Sequence, residues 1–406
     1  GAVMGSKNLK AVAVRGTRGP VYADHEKVWE LFSTCATSPQ TALHKLSFSR
    51  WGLSAGPTTL LRYAGEGIKN NHFGYHEIVE ESDRLAHYLK YNAWVDGCPG
   101  CARPCFVPFF KNSPRGAFGG EMRHDNTGGF DANIMMGYEE MTEINALEDE
   151  LGMDGEELGG LVAWAMDLYE HGIISQEDLG GIDLKWGNVE ATCELLKKIA
   201  YKEGRAPAAL AEGFRRAYEV FGEESKWYAF EVHGCASPTY DVRNKYIGFG
   251  LAFGTSHNGA RVGSGISLAE AATACVFTLQ TVRQIWGSNE EGFRMFLNAA
   301  CGWNLALDDV KDLALRNYYF NRCVSLREGY HPSKDDYLPP RAYDETITDK
   351  YGKSWVWDRE EFEAAKKNYY VDTLRLTENG LPSREGLQRL GLDFVIPVLG
   401  PMGAIG

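Results

Sequence analysis

The stretch MTEINALEDELGMDGEELGGLVAWAMDLYEHG, residues 141–172, predicts two consecutive helices separated by a sharp stop. Gly152 is placed to end the first helix, since glycine adopts the left-handed conformation common just after a helix. Asp154 and Glu157 form a capping box that starts the second helix, and Gly172 ends it. The first helix is marked by apolar residues at helical spacing, namely Met141, Ile144, Leu147 and Leu151.

The same helical periodicity recurs along most of the chain, and the protein is therefore predicted to be mostly α. The residues from Ala11 to Val14 instead alternate between small and apolar side chains before Gly16, which predicts one short strand near the N-terminus. Nothing later in the sequence supplies an obvious sheet for that strand. Further helices are expected at 188–203, 207–220, 267–286, 289–300, 307–325 and 359–367.

Length, charge and cysteine content exclude several classes of protein. A chain of 406 residues is long enough for two or three domains, and a formal net charge of −13 argues against nucleic acid as a partner. We find no apolar run long enough to cross a bilayer, so no membrane span is predicted. Nine cysteines, an odd number with three close together, do not form a secreted disulfide framework. A cytoplasmic location is expected.

The segment CPGCARPC, residues 98–105, predicts a metal or cluster site. The C-x2-C-x3-C spacing suits thiolate ligation of an iron–sulfur cluster that takes one further, distant cysteine. A structural zinc site remains an alternative, although it would need a second C-x2-C pair that the sequence does not contain. Spacing alone does not identify the fourth ligand among the six scattered cysteines.

Several motifs in order resemble the tungsten-dependent aldehyde:ferredoxin oxidoreductase family. They are GAVMGSKNLKAVAVRG at 1–16, CPGCARPC at 98–105, DELGMD at 149–154, LNAACGWNL at 297–305 and SLREGY at 325–330. The resemblance runs from Gly1 to about Leu392 and implies a β-rich base domain followed by two helical domains.

On this resemblance, residues 1–17 are the end of the base domain. Residues 18–212 would form a helical domain carrying the cysteine triplet, and residues 213–406 a second helical domain carrying the fourth cysteine. The chain is accordingly expected to be a fragment without most of the base domain.

The resemblance also implies the ligands of the cofactors. Cys98, Cys101 and Cys105 would hold a [4Fe–4S] cluster with Cys275 of EAATAC, residues 270–275, as the fourth ligand. Cys301 is the alternative fourth ligand. A tungsten (or molybdenum) bis-pterin would be contacted by residues of the DELGMD motif and of SPTYDVR at 237–243, namely Asp149, Gly152, Asp154, Tyr240 and Asp241.

Two residues are expected from the resemblance to take part in catalysis. The family carries a glutamate beside the metal, and FGGEMRHD at 118–125 puts Glu121 at that position, with His124 as a weaker companion. A carboxyl group in a dry environment can exchange protons near neutral pH. The family's active-site histidine is replaced here by Val262, and His257 in TSHNGARV, residues 255–262, is the candidate to substitute for it.

The function expected from the resemblance is oxidation of an aldehyde to a carboxylic acid, with a ferredoxin-like electron carrier as acceptor. A catalytic subunit like that of class II benzoyl-CoA reductases is one alternative, and a non-catalytic iron–sulfur or zinc module is another. An oligomer or a complex with other redox subunits is also expected, because the C-terminal segment 394–399 is apolar.

Overall fold

A computed structural model describes residues 2–42, 46, 52, 62–81, 90–91, 95–98, 101, 103–113, 116–121, 129–237, 240–245, 248–261 and 265–406. Over these residues helices dominate and strands are few and short, which confirms the mostly α prediction. No helix in this part of the chain combines the length and the apolar character needed to cross a membrane.

The helices differ widely in length, and the longest spans 21 residues. In chain order they are α1 (Ala2–Ser6), α2 (His25–Thr37), α3 (Ile78–Glu81), α4 (Tyr138–Leu151), α5 (Gly155–Glu170), α6 (Val189–Tyr201), α7 (Arg205–Leu210), α8 (Phe214–Phe221), α9 (Ser225–Tyr228), α10 (Phe249–Gly254), α11 (Leu268–Ala271), α12 (Thr278–Trp286), α13 (Asn289–Cys301), α14 (Leu307–Arg327), α15 (Pro332–Asp335), α16 (Arg341–Asp344), α17 (Arg359–Asn368), α18 (Arg384–Arg389) and α19 (Ile396–Leu399). Short 3-10 turns lie at Pro39–Thr41, Ala132–Ile134, Asp393–Val395 and Gly400–Met402, and a π-helical turn at Tyr369–Thr373.

The described strands form three antiparallel hairpins. The longest joins β1 (Pro108–Ser113) to β2 (Gly116–Glu121). The other two are β3 (Glu231–Val232) with β4 (Cys235–Ala236), and β5 (Ile347–Thr348) with β6 (Ser354–Trp355). Each hairpin contributes buried side chains, among them Phe109, Val232 and Ile347.

The two helices predicted from residues 141–172 form as expected. Gly152 ends α4 in the left-handed conformation with φ 70°, and the Asp154 carboxylate accepts a hydrogen bond from the Glu157 amide at 2.9 Å. The buried Trp164 of α5 packs against the rings of α8 and donates to the carbonyl of Ser225 at 3.0 Å. This cluster of helices is the largest core of the described chain.

Three expectations for local structure are wrong. Residues 11–14 form no strand and carry no regular secondary structure, because no described segment pairs with them. The run at 207–220 is split into α7 and α8, with Gly213 at φ 78° between them. The run at 267–286 is split into α11 and α12 by residues 272–277.

Two compact units divide the chain. Unit 1 consists of residues 1–47, 100–103 and 266–318, and unit 2 of residues 48–99, 104–265 and 319–406. The core of unit 1 joins α11, α12, α13 and the first half of α14. No unit boundary falls at residue 212, since α7 and α8 contribute to one continuous core in unit 2. The family-based division at that residue stays a prediction.

Candidate functional site

Two of the predicted cluster ligands, Cys101 and Cys275, lie in unit 1, and both are exposed. The Arg103 amide donates a hydrogen bond to the Cys101 Sγ at 3.3 Å. The buried Arg103 guanidinium donates to the carbonyl of Phe277, two residues beyond Cys275. These contacts bring the segment of the cysteine triplet to the segment of the predicted fourth ligand.

Cys275 is exposed because the chain leaves the helical path just before it. Thr273 adopts a left-handed conformation with φ 51°, and the Ala274 amide donates back to the carbonyl of Ala269 at 2.8 Å. A continuous helix over 267–286 would have given Cys275 a different setting. The alternative ligand Cys301 is also exposed, as the last residue of α13.

The other two cysteines of the triplet, Cys98 and Cys105, lie in unit 2. Asp96 and Phe106, on either side of the triplet, exchange two backbone hydrogen bonds of 2.9 Å. This bridge closes the ends of the cysteine-bearing loop. Cys98 is exposed and Cys105 half-buried, and neither forms a disulfide. Each of these cysteines is a free thiol, and thiolates are the usual ligands of iron–sulfur clusters.

The DELGMD corner between α4 and α5 lies against the strand that ends at Glu121. A β-carbon added at Gly120 would stand 3.4 Å from the Asp149 Oδ2. Two segments that the resemblance assigns to the cofactor are therefore neighbours in unit 2. The Glu121 backbone is the last residue of β2, whereas its side chain and His124 lie outside the described residues.

A half-buried glutamate links this corner to the β3–β4 hairpin. The Glu157 Oε2 accepts a hydrogen bond from the Ala236 amide at 2.8 Å. Burial raises the pKa of Glu157 to about 7, and the nearby Asp154 and Glu231 carboxylates favour its protonated form further. The sequence marked Glu157 only as a helix cap, so its position under the hairpin was missed.

The hairpin itself is rich in buried ionisable groups. The Glu231 carboxyl receives hydrogen bonds from the Tyr337 hydroxyl at 2.9 Å and the Tyr218 hydroxyl at 3.2 Å. Burial nevertheless raises the pKa of Glu231. Burial also raises the pKa of the Cys235 thiol to about 11, with a contribution from Glu157. Burial therefore shifts both groups toward their uncharged forms.

The loop that carries His257 packs on this hairpin. A β-carbon at Gly259 would stand 2.7 Å from the Cys235 Sγ, so only glycine allows this close approach. Burial lowers the pKa of His257 to about 3, and the positive charge of Arg322 lowers it further, as would a charge on His233. Burial likewise lowers the pKa of His233 to about 4. Both imidazoles are therefore neutral at pH 7.

His233 was not among the predicted site residues. The available signal was the dipeptide His233-Gly234 between two short apolar runs, which is typical of a turn but says nothing about burial. Its position beside His257 depends on a contact between segments that are separate in the sequence.

Tyr240 and Asp241, predicted cofactor neighbours, have different surroundings. The Tyr240 ring is half-buried and lies 4.0 Å from the Phe249 ring, centroid to centroid. The buried Asp241 carboxylate accepts hydrogen bonds from Arg243 at 2.9 Å on Oδ1 and 2.6 Å on Oδ2, and from Asn71 at 3.2 Å. Both oxygens of Asp241 are thus committed to protein groups.

Comparison with known proteins gives consistent results. A family model described as "Aldehyde ferredoxin oxidoreductase, domains 2 & 3" matches residues 39–392. A tungsten-containing aldehyde ferredoxin oxidoreductase of Pyrococcus abyssi is 30% identical, covering 98% of this chain and 69% of the relative. The aliphatic sulfonate oxidoreductase, WOR-like subunit, of Pyrococcus furiosus is 32% identical, covering 97% of this chain and 65% of the relative.

A solved structure shares the fold. It is the active site complex BamBC of benzoyl coenzyme A reductase, in complex with 1,5 dienoyl-CoA, and the matched chain gives a TM-score of 0.71 at 17% identity. The match covers 100% of this chain and 71% of that chain. At this identity the likeness concerns the fold alone. The family model spans most of the sequence, and the chain therefore belongs to the aldehyde ferredoxin oxidoreductase family.

Proposed function

We propose that this protein is a tungsten or molybdenum bis-pterin oxidoreductase with a [4Fe–4S] cluster, and that it oxidises an aldehyde to a carboxylic acid. The observation that carries the proposal is the contact within unit 1 through Arg103, which bonds both Cys101 and the segment of Cys275, in a member of this family. Relatives named tungsten-containing aldehyde ferredoxin oxidoreductases support the choice of metal and substrate.

The cluster would be held by Cys98, Cys101, Cys105 and Cys275, all free thiols. The Arg103 amide donates a hydrogen bond to the Cys101 sulfur. The pterin would lie at the corner formed by Asp149, Gly152 and Asp154, near β2. A carboxylate at such a corner matches the N–H donors on pterin edges.

The overall reaction is RCHO plus H2O giving RCOOH, two electrons and two protons. When bound, the metal–pterin would supply the two-electron chemistry, and the cluster would supply single-electron transfer to a ferredoxin-like carrier. The two protons need acceptors in the protein. Glu121 and His257 are the residues proposed to take part in this proton handling, and Glu157, with a pKa of about 7, can carry a proton onward.

Elemental analysis of the anaerobically purified protein tests the proposal. We expect about four irons and one tungsten or molybdenum per chain, together with aldehyde-dependent reduction of ferredoxin or a viologen dye. Iron without the heavier metal would leave only an electron-transfer module. Zinc alone would contradict the assignment of the cysteine triplet.

Two cysteine variants test the fourth ligand within this proposal. Cys275→Ser is expected to lower the iron content and the absorbance of the cluster, because a serine hydroxyl is a much poorer ligand than a thiolate. Cys301→Ser is the matched control, since Cys301 is also an exposed cysteine of unit 1. Loss of iron in the Cys301 variant and not in the Cys275 variant would reverse the assignment.

A different substrate is the second candidate, favoured by the 32% identity to the P. furiosus relative named aliphatic sulfonate oxidoreductase. The cofactors would stay the same, and the electrons would come from another carbon centre. Parallel assays with short aldehydes, alkane sulfonates and benzoyl-CoA distinguish the candidates. Turnover of sulfonates without turnover of any aldehyde would exclude aldehyde oxidation as the main reaction.

A further inference from the structure

One nitrogen of the His233 imidazole, Nε2, has no hydrogen-bond partner among the described residues. The side chain of His233 is only 7% exposed. The nearest opposite charge, the Asp336 Oδ1, stands 3.9 Å away, beyond hydrogen-bond distance. A buried polar atom left unpaired costs free energy, so such an atom in a folded protein indicates a molecule that binds there.

The backbone of His233 is also held in an unusual conformation. It is left-handed with φ 59°, at the turn between β3 and β4. Such conformations are sparsely populated for residues other than glycine, and they concentrate at functional sites. The ring is fixed between Tyr330 and Tyr337, whose centroids lie 5.7 Å and 5.8 Å away. The turn therefore presents the imidazole in a defined orientation.

This position adjoins the candidate catalytic loop, and the turn around it is partly exposed. The loop packs on the hairpin where Gly259 meets Cys235, and His257 is close enough for a charge on His233 to affect it. Gly234 and Cys235 are half-buried and Asn258 is exposed. The turn that carries His233 is therefore partly accessible from solvent, whereas the Nε2 atom of that residue is buried.

The charged groups that surround His233 are paired with one another. The Asp336 carboxylate accepts hydrogen bonds from the Arg322 guanidinium at 3.2 Å and from the hydroxyls of Tyr330 and Tyr370. The other nearby cation, Arg215, donates to Asp335 at 3.3 Å. Arg322 also donates to two backbone carbonyls, those of Thr255 and Gly380. Among the described groups facing His233, each cation is thus engaged with an acceptor.

We propose that His233 is a further residue of the catalytic site. Its Nε2 hydrogen-bonds the oxygen of a small uncharged carbonyl substrate beside His257. This inference rests on the proposed function. A neutral imidazole suits this role, since it can donate to a carbonyl oxygen without bringing a charge into the buried site. An anionic molecule is disfavoured, because Asp336 lies close by and its neighbouring cations are already paired. The same arrangement favours release of the carboxylate product.

Kinetics of the holoenzyme test the role of His233. His233→Asn is suited to the site, because asparagine tolerates the left-handed conformation, and His233→Gln is a second variant of different length. We expect kcat/KM for propionaldehyde to fall about 10- to 100-fold in both, with metal and iron content unchanged. His25→Gln, at an exposed histidine of unit 1, is the control and should behave as the wild type.

A crystal soak provides a readout that does not depend on activity. Propionamide carries an uncharged carbonyl and is not an aldehyde, so its oxygen should lie within about 3.2 Å of the His233 Nε2 in the soaked holoenzyme. Propionate should not occupy the same place. Propionamide bound elsewhere or not at all, equal binding of propionate, or His233 variants as active as His25→Gln would overturn the inference.

The two proposals fail in different ways. Absence of tungsten and molybdenum, or of aldehyde turnover in the wild type, would contradict the proposed function. An active wild type with unaffected His233 variants would contradict only the role of His233.

Discussion

Unit 2 contains two polar regions that differ in how they offset the free-energy cost of burying ionisable groups. We call the first the Asp167 network, and it consists of Asn70, His72, Asp167, Asp241, Arg243, Arg341 and Glu345. The second is the hairpin cluster of Glu157, Glu231, His233, Cys235 and His257. Charges in a protein interior are costly unless they are paired, and both regions have to meet that cost.

The Asp167 network keeps its charges and pairs them. Arg243 donates hydrogen bonds from two nitrogens to the Asp241 carboxylate. Arg341 donates a hydrogen bond to the Glu345 carboxylate at 2.7 Å. The two arginines also donate to the carbonyls of Asn71 and Asn70, in a turn where Lys69, Asn70 and Asn71 are all left-handed. The network therefore holds a strained turn in place, which is a structural role.

The hairpin cluster removes its charges instead. Burial raises the pKa of Glu157, Glu231 and Cys235 and lowers that of His233 and His257, so burial shifts all five groups toward their neutral forms. Groups kept neutral beside open hydrogen-bonding capacity can exchange protons and bind a substrate. The Asp167 network thus offsets the cost of burial with opposite charges, whereas the hairpin cluster offsets it with pKa shifts toward the neutral forms.

The largest expected effect comes from breaking a pair in the Asp167 network. Arg243→Met leaves the Asp241 carboxylate buried beside an apolar side chain, and the free energy of unfolding should fall by about 3–5 kcal/mol. Urea denaturation of the full chain measures the change. The control is Arg205→Met, which removes a more exposed pair with Asp178 and should cost less than about 1 kcal/mol. Similar losses in the two variants would refute the structural role of the network.

The second largest effect is expected in the hairpin cluster, as a change in how the free energy of unfolding depends on pH. Glu157 has a folded-state pKa of about 7 against 4.5 for an ordinary glutamate, so the folded protein retains a proton that the unfolded chain releases. Stability from this group therefore declines as pH rises from about 4.5 to 7. Glu157→Gln removes the decline and should be more stable than wild type at pH 8, by at most about 3 kcal/mol, with little difference at pH 4.5.

The exposed Glu219 of α8 provides the control for Glu157. Denaturation curves of Glu219→Gln and wild type should keep the same separation across pH. A constant difference for Glu157→Gln as well would mean that its carboxyl is not kept neutral by burial.

The smallest change in the free energy of unfolding is expected for a variant at His72, in the Asp167 network. Burial alone lowers the pKa of His72, but hydrogen bonds to Asp167, with Nε2 2.7 Å from Oδ2, and to Glu345 outweigh it, and the pKa is raised. Stability from a raised histidine pKa is fully present below the unfolded value of 6.5 and is lost as pH rises through the folded value. His72→Gln should therefore destabilise by about 1 kcal/mol at pH 6 and by less at pH 9. A larger loss at pH 9 would show that the imidazole is neutral in the network.

Local signals in the sequence predicted much of the helical architecture. Gly152 and Asp154 act through residues three or four positions away, so their roles as stop and cap are the same in the sequence and in the structure. The run at 267–286 was read as one helix because its apolar spacing continues through the break. The left-handed Thr273 depends on how the surrounding unit packs, which helical periodicity does not record.

The sequence by itself determined the helices, the cysteine spacing and the family, because each is carried by neighbouring residues or by motifs in order along the chain. Which ionisable groups are paired and which are shifted toward their neutral forms depends on contacts that form only in the folded protein. Arg341 meets the carbonyl of Asn70 across 271 positions, and Glu157 reaches Ala236 across 79. Burial and partners of this kind set the pKa of His233 and leave its Nε2 open for a substrate, because the cost of a buried charge depends on atoms brought together by folding.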